Sequence, residues 1–327
     1  MTSFILRRLI YMVPTILVLS IVVFVIIQLP PGDWLTSYVA GMRASGDEVS
    51  PERIEILRER YGFDKPIYVK YFKWISGIFT GDFGFSFSWN KPVGELIWSR
   101  LGLTLLVSTS TLLFTWIVSF TIGLYSATHQ YSIGDYFATF IGFIGLATPN
   151  FMLALILMYL SFEFFGYSIS GLFSYEFVDA PWSIAKFIDL LKHLWIPIIV
   201  SGTAGTAGLI RILRANLLDE LGKPYVVTAK TKGVSNLKIL FKYPVRIALI
   251  PFISTVGWTF ASLISGSVIT AIVLNLPTTG PMLLQALKTQ DMYLAGSFIF
   301  FLSILTVIGT LVSDILLALV DPRIRFE

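Results

Sequence analysis

The stretch YVVTAKTKGVSNLKILFKYPVRIALIP, from Tyr225 to Pro251, carries Lys230, Lys232, Lys238, Lys242 and Arg246 and no acid. Its cations interleave with Val226, Val227, Ala229, Val234 and Leu237, and Ala229 and Gly233 stand four residues apart. A loop that is cationic only to fix membrane topology needs the Lys and Arg but not the apolar residues between them. A short helix with a small-residue face is suited to entering a groove on another protein. Gly233 then stops that helix or permits a close approach. The chemistry on offer is recognition, not bond-making.

Other residues narrow the choice further. Thr255, Thr259, Ser262 and Gly266 share one face of a later apolar segment. Hydroxyls in lipid need partners, so this face is expected to turn toward protein or water, as packing or as a path for a solute. GTAGTAGLIR, Gly202 to Arg211, has the glycines of a phosphate loop but neither the preceding strand nor the closing Lys-Ser/Thr. Small residues at this spacing let transmembrane helices pack closely, and packing is the role expected. Glu163 and Asp314 are ionisable residues inside apolar runs, which makes them functional candidates by default. Glu163 lies near the outer end of its run and can snorkel. Asp314 has Ser313 beside it and Arg323 and Arg325 nearby, which allows a structural role. Neither shows an acid–base partner, so no proton relay is read.

Catalysis finds no support. No Walker-type sequence, Gly-x-Ser-x-Gly elbow or paired-carboxylate arrangement stands out. Cysteine is absent, and the two histidines, His129 and His193, lack ligand spacing, so no metal site is expected. The chain is read as a non-enzyme that binds no cofactor itself; if it uses ATP, another chain hydrolyses it.

Positioning these residues is the task of apolar helices. Of 327 residues, 55% are hydrophobic and only 13% charged, and the mean hydropathy is +0.77, values that fit a polytopic membrane protein. The net charge of +4 is too modest to point to nucleic acid. Six stretches approach the ~20 apolar residues a span requires: Leu9–Leu29, Leu101–Tyr125, Tyr136–Phe165, Leu194–Leu213, Ile247–Leu274 and Ala295–Val320. The first exceeds a signal peptide's apolar region and meets Pro30-Pro31, so it is read as a retained span. Pro149 is expected to bend the third. The expected fold is all-α, with residues 1–29 as N-terminus and first span, 30–100 as an external helical loop and 101–327 as the transmembrane core.

Charge sets the orientation. Arg7, Arg8, the eight Lys/Arg of Arg211–Arg246, and Arg323 and Arg325 fall on one side, against Lys186, Lys192 and Lys288 in the short opposite loops. The positive-inside bias then makes both termini cytoplasmic, together with the opening segment. In the long outer loop, Ser50-Pro51-Glu52 reads as a helix start. A second amphipathic helix begins near Asp64-Lys65-Pro66, with Ile67, Tyr71, Trp74, Ile75 and Ile78 on one face. This loop is expected to cap the outer membrane surface or to receive an external partner.

TAKTKG, followed eighteen residues after its glycine by Pro251, resembles the cytoplasmic signature of binding-protein-dependent ABC importer permeases. More narrowly, the chain is similar to the dipeptide/oligopeptide/nickel group. The likeness runs through RRLIYMVPTILVLSIVVFVIIQLPPGD, YGFDKPIYVKYFKWISGIFTGDFGFSF, PVGELI, ATPNF, RILRANLLDEL, LPTTGPMLLQAL and LVSDILLALVDPRIR. The wider signature's Glu-Ala-Ala is Val227-Thr228-Ala229 here, and the group's usual His-Ala-Leu-Arg-Asn-Ala is Tyr243-Pro244-Val245-Arg246-Ile247-Ala248.

The resemblance implies one membrane half of an importer in the cell's inner membrane. Its partners would be membrane lipid, a second homologous permease, two cytoplasmic ATPase subunits that hold ATP and Mg, and an external substrate-binding protein. The segment 225–236 would be a coupling helix, with Tyr225, Thr228, Ala229, Lys230, Lys232 and Gly233 docking the ATPase. Thr255, Thr259 and Ser262 would line the translocation path. Peptides lead as substrate, and the group also handles oligosaccharides and nickel complexes. The rival readings are an ABC exporter half, an ion-coupled secondary transporter and a non-transport scaffold. They lack, respectively, long cytoplasmic helix extensions, buried charges with partners, and a reason for a groove-fitting cytoplasmic helix.

Overall fold

In a computed structural model, the described residues are 2–46, 50–61, 64–166, 169–265 and 268–320. Helix α1 (Thr2–Gln28) is followed by α2 (Trp34–Ala44), α3 (Pro51–Tyr61) and α4 (Ile67–Thr80). A small antiparallel hairpin, β1 (Phe85–Ser86) and β2 (Lys91–Pro92), precedes α5 (Val93–Thr128), α6 (Ile133–Ala147) and α7 (Asn150–Phe165). Then come α8 (Ile184–Leu221), α9 (Pro224–Thr231), α10 (Asn236–Lys242), α11 (Pro244–Ser254), α12 (Val256–Ser265), α13 (Val268–Val273), α14 (Thr279–Lys288) and α15 (Met292–Val320). Among the described residues, α1, α5, α8 and α15 are each long and apolar enough to cross a membrane. Counting the bent pairs α6–α7 and α10–α11 with α12 as one span each makes six. The protein is an all-α polytopic membrane protein.

The third apolar stretch differs from a kinked rod. Pro149 disfavours the helical region for the residue before it, and Thr148 is extended at ψ 121°. The helices on either side meet at 107°. At 1.5 Å per residue each is only about 22–24 Å long, short of a ~30 Å hydrocarbon core.

Contacts divide the chain into two compact units, one of which comprises Leu9–Thr104 and Thr278–Leu305. The stretch 278–305 thus falls with residues 9–104 rather than with 105–277. Its core holds Val23, Phe24, Trp74, Ile75 and Phe300, with Tyr71 and Ile78 packed against them. That is the face the α4 spacing marks, except that Ile67 is exposed. Ser20 and Tyr71 share a 2.9 Å hydrogen bond, and Trp74 Nε1 donates to Ser297 Oγ at 3.3 Å. Both polar tips are satisfied without leaving the apolar face. The start of α3 is capped as expected, since Arg53 N donates to Ser50 Oγ at 3.4 Å. Helix α2 is not foreseen from the sequence, although Asp33 caps it by accepting from Thr36 N at 2.8 Å.

Asp291, fully buried, ties the hairpin to the start of α15. Its carboxylate accepts from Ser86 Oγ (2.6 Å), Ser88 N (3.1 Å) and Leu294 N (3.3 Å). Burial pushes its pKa up, and these hydrogen bonds pull against that shift without cancelling it. A raised carboxyl pKa contributes stability that is full below the unfolded value and is lost as pH rises through the folded value. This unit should therefore gain thermal stability as pH falls from neutral toward the ordinary carboxylate range, and Asp291→Asn should flatten that slope. Melting of the detergent-purified protein across that range checks it; an unchanged slope in Asp291→Asn would count against the assignment.

The other unit comprises Met1–Arg8, Leu105–Pro277 and Thr306–Glu327. Its core gathers Ala127 of α5, Leu209, Leu213 and Leu217 of α8, and Val245, Ala248 and Phe252 of α11. Asp314 has an ion-pair partner after all, in Arg8 at 3.0 Å, while Ser313 Oγ donates to the Ile253 carbonyl at 3.2 Å. Arg323 and Arg325, the neighbours the sequence offers, lie outside the described residues. Glu163 is exposed near the end of α7.

Helix α8 starts ten residues before the expected Leu194, capped by Ser183, whose hydroxyl accepts from Lys186 N at 3.2 Å. Lys186 and Lys192 are thereby helical rather than loop residues. The added turns anchor the preceding segment. Lys186 Nζ donates to the carbonyls of Val178 (3.3 Å) and Ala180 (2.6 Å), and Asp189 accepts from Ser174 N and Oγ at 2.7 and 2.6 Å.

Candidate functional site

Three faces of α8 meet three neighbours around the GTAGTAG stripe. Gly202 and Thr206 turn to α5, where their carbonyls accept from Thr115 Oγ1 (3.3 Å) and Ser119 Oγ (3.2 Å). Thr203 and Ala207 press on α6, with Ala207 Cβ 3.5 Å from where a Gly142 Cβ would stand and Thr203 Cγ2 closer still over Gly145. Small residues do let the helices pack closely, as the spacing predicts. The remaining face does something else. Ser201, Ala204, Gly205 and Gly208, at intervals of three and four, line a cavity of about 310 Å³.

Opposite them stand Trp258, Thr259, Ser262 and Leu263 of α12, with Asn150 at the first position of α7. No ionisable side chain is among the lining residues. The wall thus offers hydroxyls, an amide and an indole, which can hydrogen-bond or stack on a polar solute but cannot shuttle protons. Of the three hydroxyls that the sequence places on one face, Thr259 and Ser262 of α12 reach the cavity. Thr255 does not line it; its Oγ1 donates to the Phe252 carbonyl at 2.8 Å. Gly266, on the same sequence face, lies outside the described residues. Asn150 falls within ATPNF, where its sequence context alone assigns it no role; a polar residue directly after a helix-breaking proline is the available signal.

The opening segment folds as a helix, a turn and a second helix. Helix α9 begins with Pro224, whose missing N–H costs nothing at that position. It closes at Lys232, and Gly233 follows at φ +75°, a left-handed conformation that glycine adopts without strain. Gly233 N donates to Lys230 O at 3.0 Å and Val234 N to Ala229 O at 3.3 Å, turning the chain toward α10. Val226, Ala229 and Ile239 then form a small core, with Tyr225 and Val234 packed against it.

This core corrects one detail of the sequence reading. Ala229 and Gly233 do not form an exposed small-residue face: Ala229 is 9% exposed and turned inward, and Gly233 stands in open space. An eight-residue helix can bury only one stripe, and Val226 and Ala229 occupy it. The exposed face carries Val227, Thr228, Lys230, Thr231 and Lys232. Tyr225 OH donates to Glu220 Oε2, tying α9 to the end of α8. Burial first, then the Glu220 hydrogen bond and charge, push the Tyr225 pKa up, which keeps it a donor.

The long helices, the cavity between them and the compact cationic helix at the end of α8 define a membrane transport component. Residues 119–326 match the family model for the binding-protein-dependent transport system inner membrane component, and residues 1–108 match the N-terminal model of the same membrane component. The chain belongs to that family: it is an inner-membrane permease subunit of an ABC importer, not an enzyme. It is 36% identical over 328 residues, 100% of both chains, to the oligopeptide transport system permease protein AppB of Bacillus subtilis (strain 168). It is 29% identical over 343 residues, again 100% of both, to the dipeptide transport system permease protein DppB of Escherichia coli (strain K12). The glutathione transport system permease protein GsiC of Salmonella typhimurium (strain LT2) is 28% identical over 327 residues, 100% of both chains. A chain of the MetNI methionine ABC transporter in inward facing conformations shares the fold, with TM-score 0.50 and 15% identity over 69% of this chain and 98% of that one.

Proposed function

We propose that this chain forms half of the membrane pathway of an ATP-driven peptide importer. It would work with a second, homologous permease, two cytoplasmic ATPase subunits holding ATP and Mg, and an external binding protein. The observation that carries the peptide assignment is the end-to-end match to permeases named for oligopeptides, dipeptides and glutathione. The uncharged, hydroxyl- and amide-lined cavity supports it, since a peptide presents backbone groups that such a wall can hydrogen-bond. Segment 225–236 is the ATPase-docking element, with Thr228, Lys230 and Lys232 at the contact and Tyr225, Ala229 and Gly233 shaping it. Thr259, Ser262 and Asn150 line the path.

The test is reconstitution in vesicles with the partner subunits. The chain alone should hydrolyse no ATP; the assembled complex should hydrolyse it faster with liganded binding protein and accumulate a radiolabelled di- or oligopeptide. Accumulation of a labelled oligosaccharide or nickel complex instead, with peptide excluded, would replace the substrate while keeping the importer. Robust ATP hydrolysis by the pure chain would end the reading.

Orientation is tested separately. Both termini and α9 are cytoplasmic in this proposal, and Lys288 is external. Lys230 and Lys288 are both exposed, and the chain has no cysteine to interfere. An impermeant thiol reagent added to intact cells should label Lys288→Cys and spare Lys230→Cys. The reverse pattern would invert the topology and remove α9 from the ATPase side.

A further inference from the structure

We propose that the Asp135–Arg214 ion pair is the joint that carries motion of the docking segment to the cavity wall, by holding α6 and α8 together as one rigid body through the transport cycle. The proposal rests on the importer reading above. Asp135, near the start of α6, is 3% exposed, and its Oδ2 accepts from Arg214 Nη2 at 2.9 Å and from Tyr131 N at 3.0 Å. Ser132 Oγ in turn accepts from Asp135 N at 3.2 Å, so the turn between α5 and α6 is fixed around this carboxylate. The pair meets through Asp135 Oδ2 and Arg214 Nη2 alone, and Asp135 Oδ1 and Arg214 Nε, both buried, have no hydrogen-bond partner among the described residues. Arg214, its side chain 29% exposed, supplies the counter-charge to the buried Asp135 carboxylate.

The position of the pair gives it its role. Arg214 lies two turns before the end of α8, which passes through Gly222 and Lys223 into α9. From Asp135, α6 runs to Thr148 and Pro149 and delivers Asn150 to the cavity wall. Between the two helices, Ala207 over Gly142 and Thr203 over Gly145 leave no layer of side chains to slide on. Pulling the pair apart would strand a buried carboxylate without its counter-charge, which costs far more than loosening a packed contact. The helices must then move together, and a push on α9 displaces Asn150.

Distances across the joint test this in the reconstituted importer. Spin labels on Ile133→Cys and Arg211→Cys, both exposed positions at this end of α6 and α8, should report one distance in nucleotide-free and vanadate-trapped states. Over the same two states, labelling of an Asn150→Cys by a small thiol reagent should change by about tenfold. Arg214→Gln should keep binding-protein-stimulated ATPase within about twofold of wild type, while Asn150→Cys labelling stops following nucleotide and peptide uptake falls about tenfold. Arg214→Lys, which keeps the charge but loses the planar fork, should fall between. A distance that changes with nucleotide in the otherwise wild-type protein would overturn the proposal. So would Arg214→Gln that couples normally, or one that loses membrane level, assembly and ATPase in step, the behaviour of a purely structural tie. Failure of the importer reading looks different: binding protein would then stimulate no ATPase even with the pair intact.

Discussion

Ala229→Glu is expected to abolish ATPase co-purification and uptake while leaving the membrane level of the chain near wild type. The new carboxylate would enter the core of Val226, Ala229 and Ile239, which offers no counter-charge. An uncompensated buried charge costs about 3–5 kcal/mol. An eight-residue helix has little of its own stability to offset that, since helices this short are marginal without tertiary packing. Helix α9 should come away from α10, and the exposed Thr228–Lys232 face would no longer be presented as a surface. The spans do not depend on this core and should insert normally. Ala229→Ser adds only one hydroxyl and should be mild, as should Lys238→Gln, which lies exposed on α10. The decisive comparison is ATPase co-purification with uptake at matched membrane levels. Wild-type assembly and uptake in Ala229→Glu would show that α9 only sets topology.

Leucine at two glycines of the same unit should fail in opposite ways. At Gly257 of α12 an added Cβ would stand 3.0 Å from Thr310 Cα and 3.3 Å from Gly309 O and Thr310 N, all backbone atoms of α15. Backbone cannot rotate aside as a side chain can, so Gly257→Leu must separate the two helices. Overpacking of this kind typically costs about 1–3 kcal/mol, and this site belongs at the upper end. At about 2–4 °C per kcal/mol for a unit of this size, melting should fall by several degrees. Gly208 has nothing within 4 Å of the place a Cβ would take, and it faces the cavity. Gly208→Leu should melt like wild type and assemble with the ATPases, but cut uptake about tenfold or more by filling the path. Normal uptake through Gly208→Leu would show that the cavity is not the route.

The apolar runs by themselves determined that the chain is a helical membrane protein and roughly where it crosses, because a hydrocarbon core demands length and apolarity from each span separately. Local chemistry was equally legible. Pro149 breaks the third stretch, Ser50 starts α3, the α4 spacing marks its buried face, and Gly233 ends α9, each through residues within a turn or two of itself. Several separate motifs in one order also pointed to the permease family. Only the tertiary structure decided which neighbour each face meets. Periodicity could show that Gly202–Gly208 is a stripe of small residues, but not that it divides between α5, α6 and a cavity. It could place Ala229 on a helix, but not turn it toward Ile239 rather than outward. Asp314 found Arg8, and Asp135 found Arg214, across stretches of chain that no local pattern spans. A charge is paired by distance in space, and that distance exists only once the helices have packed.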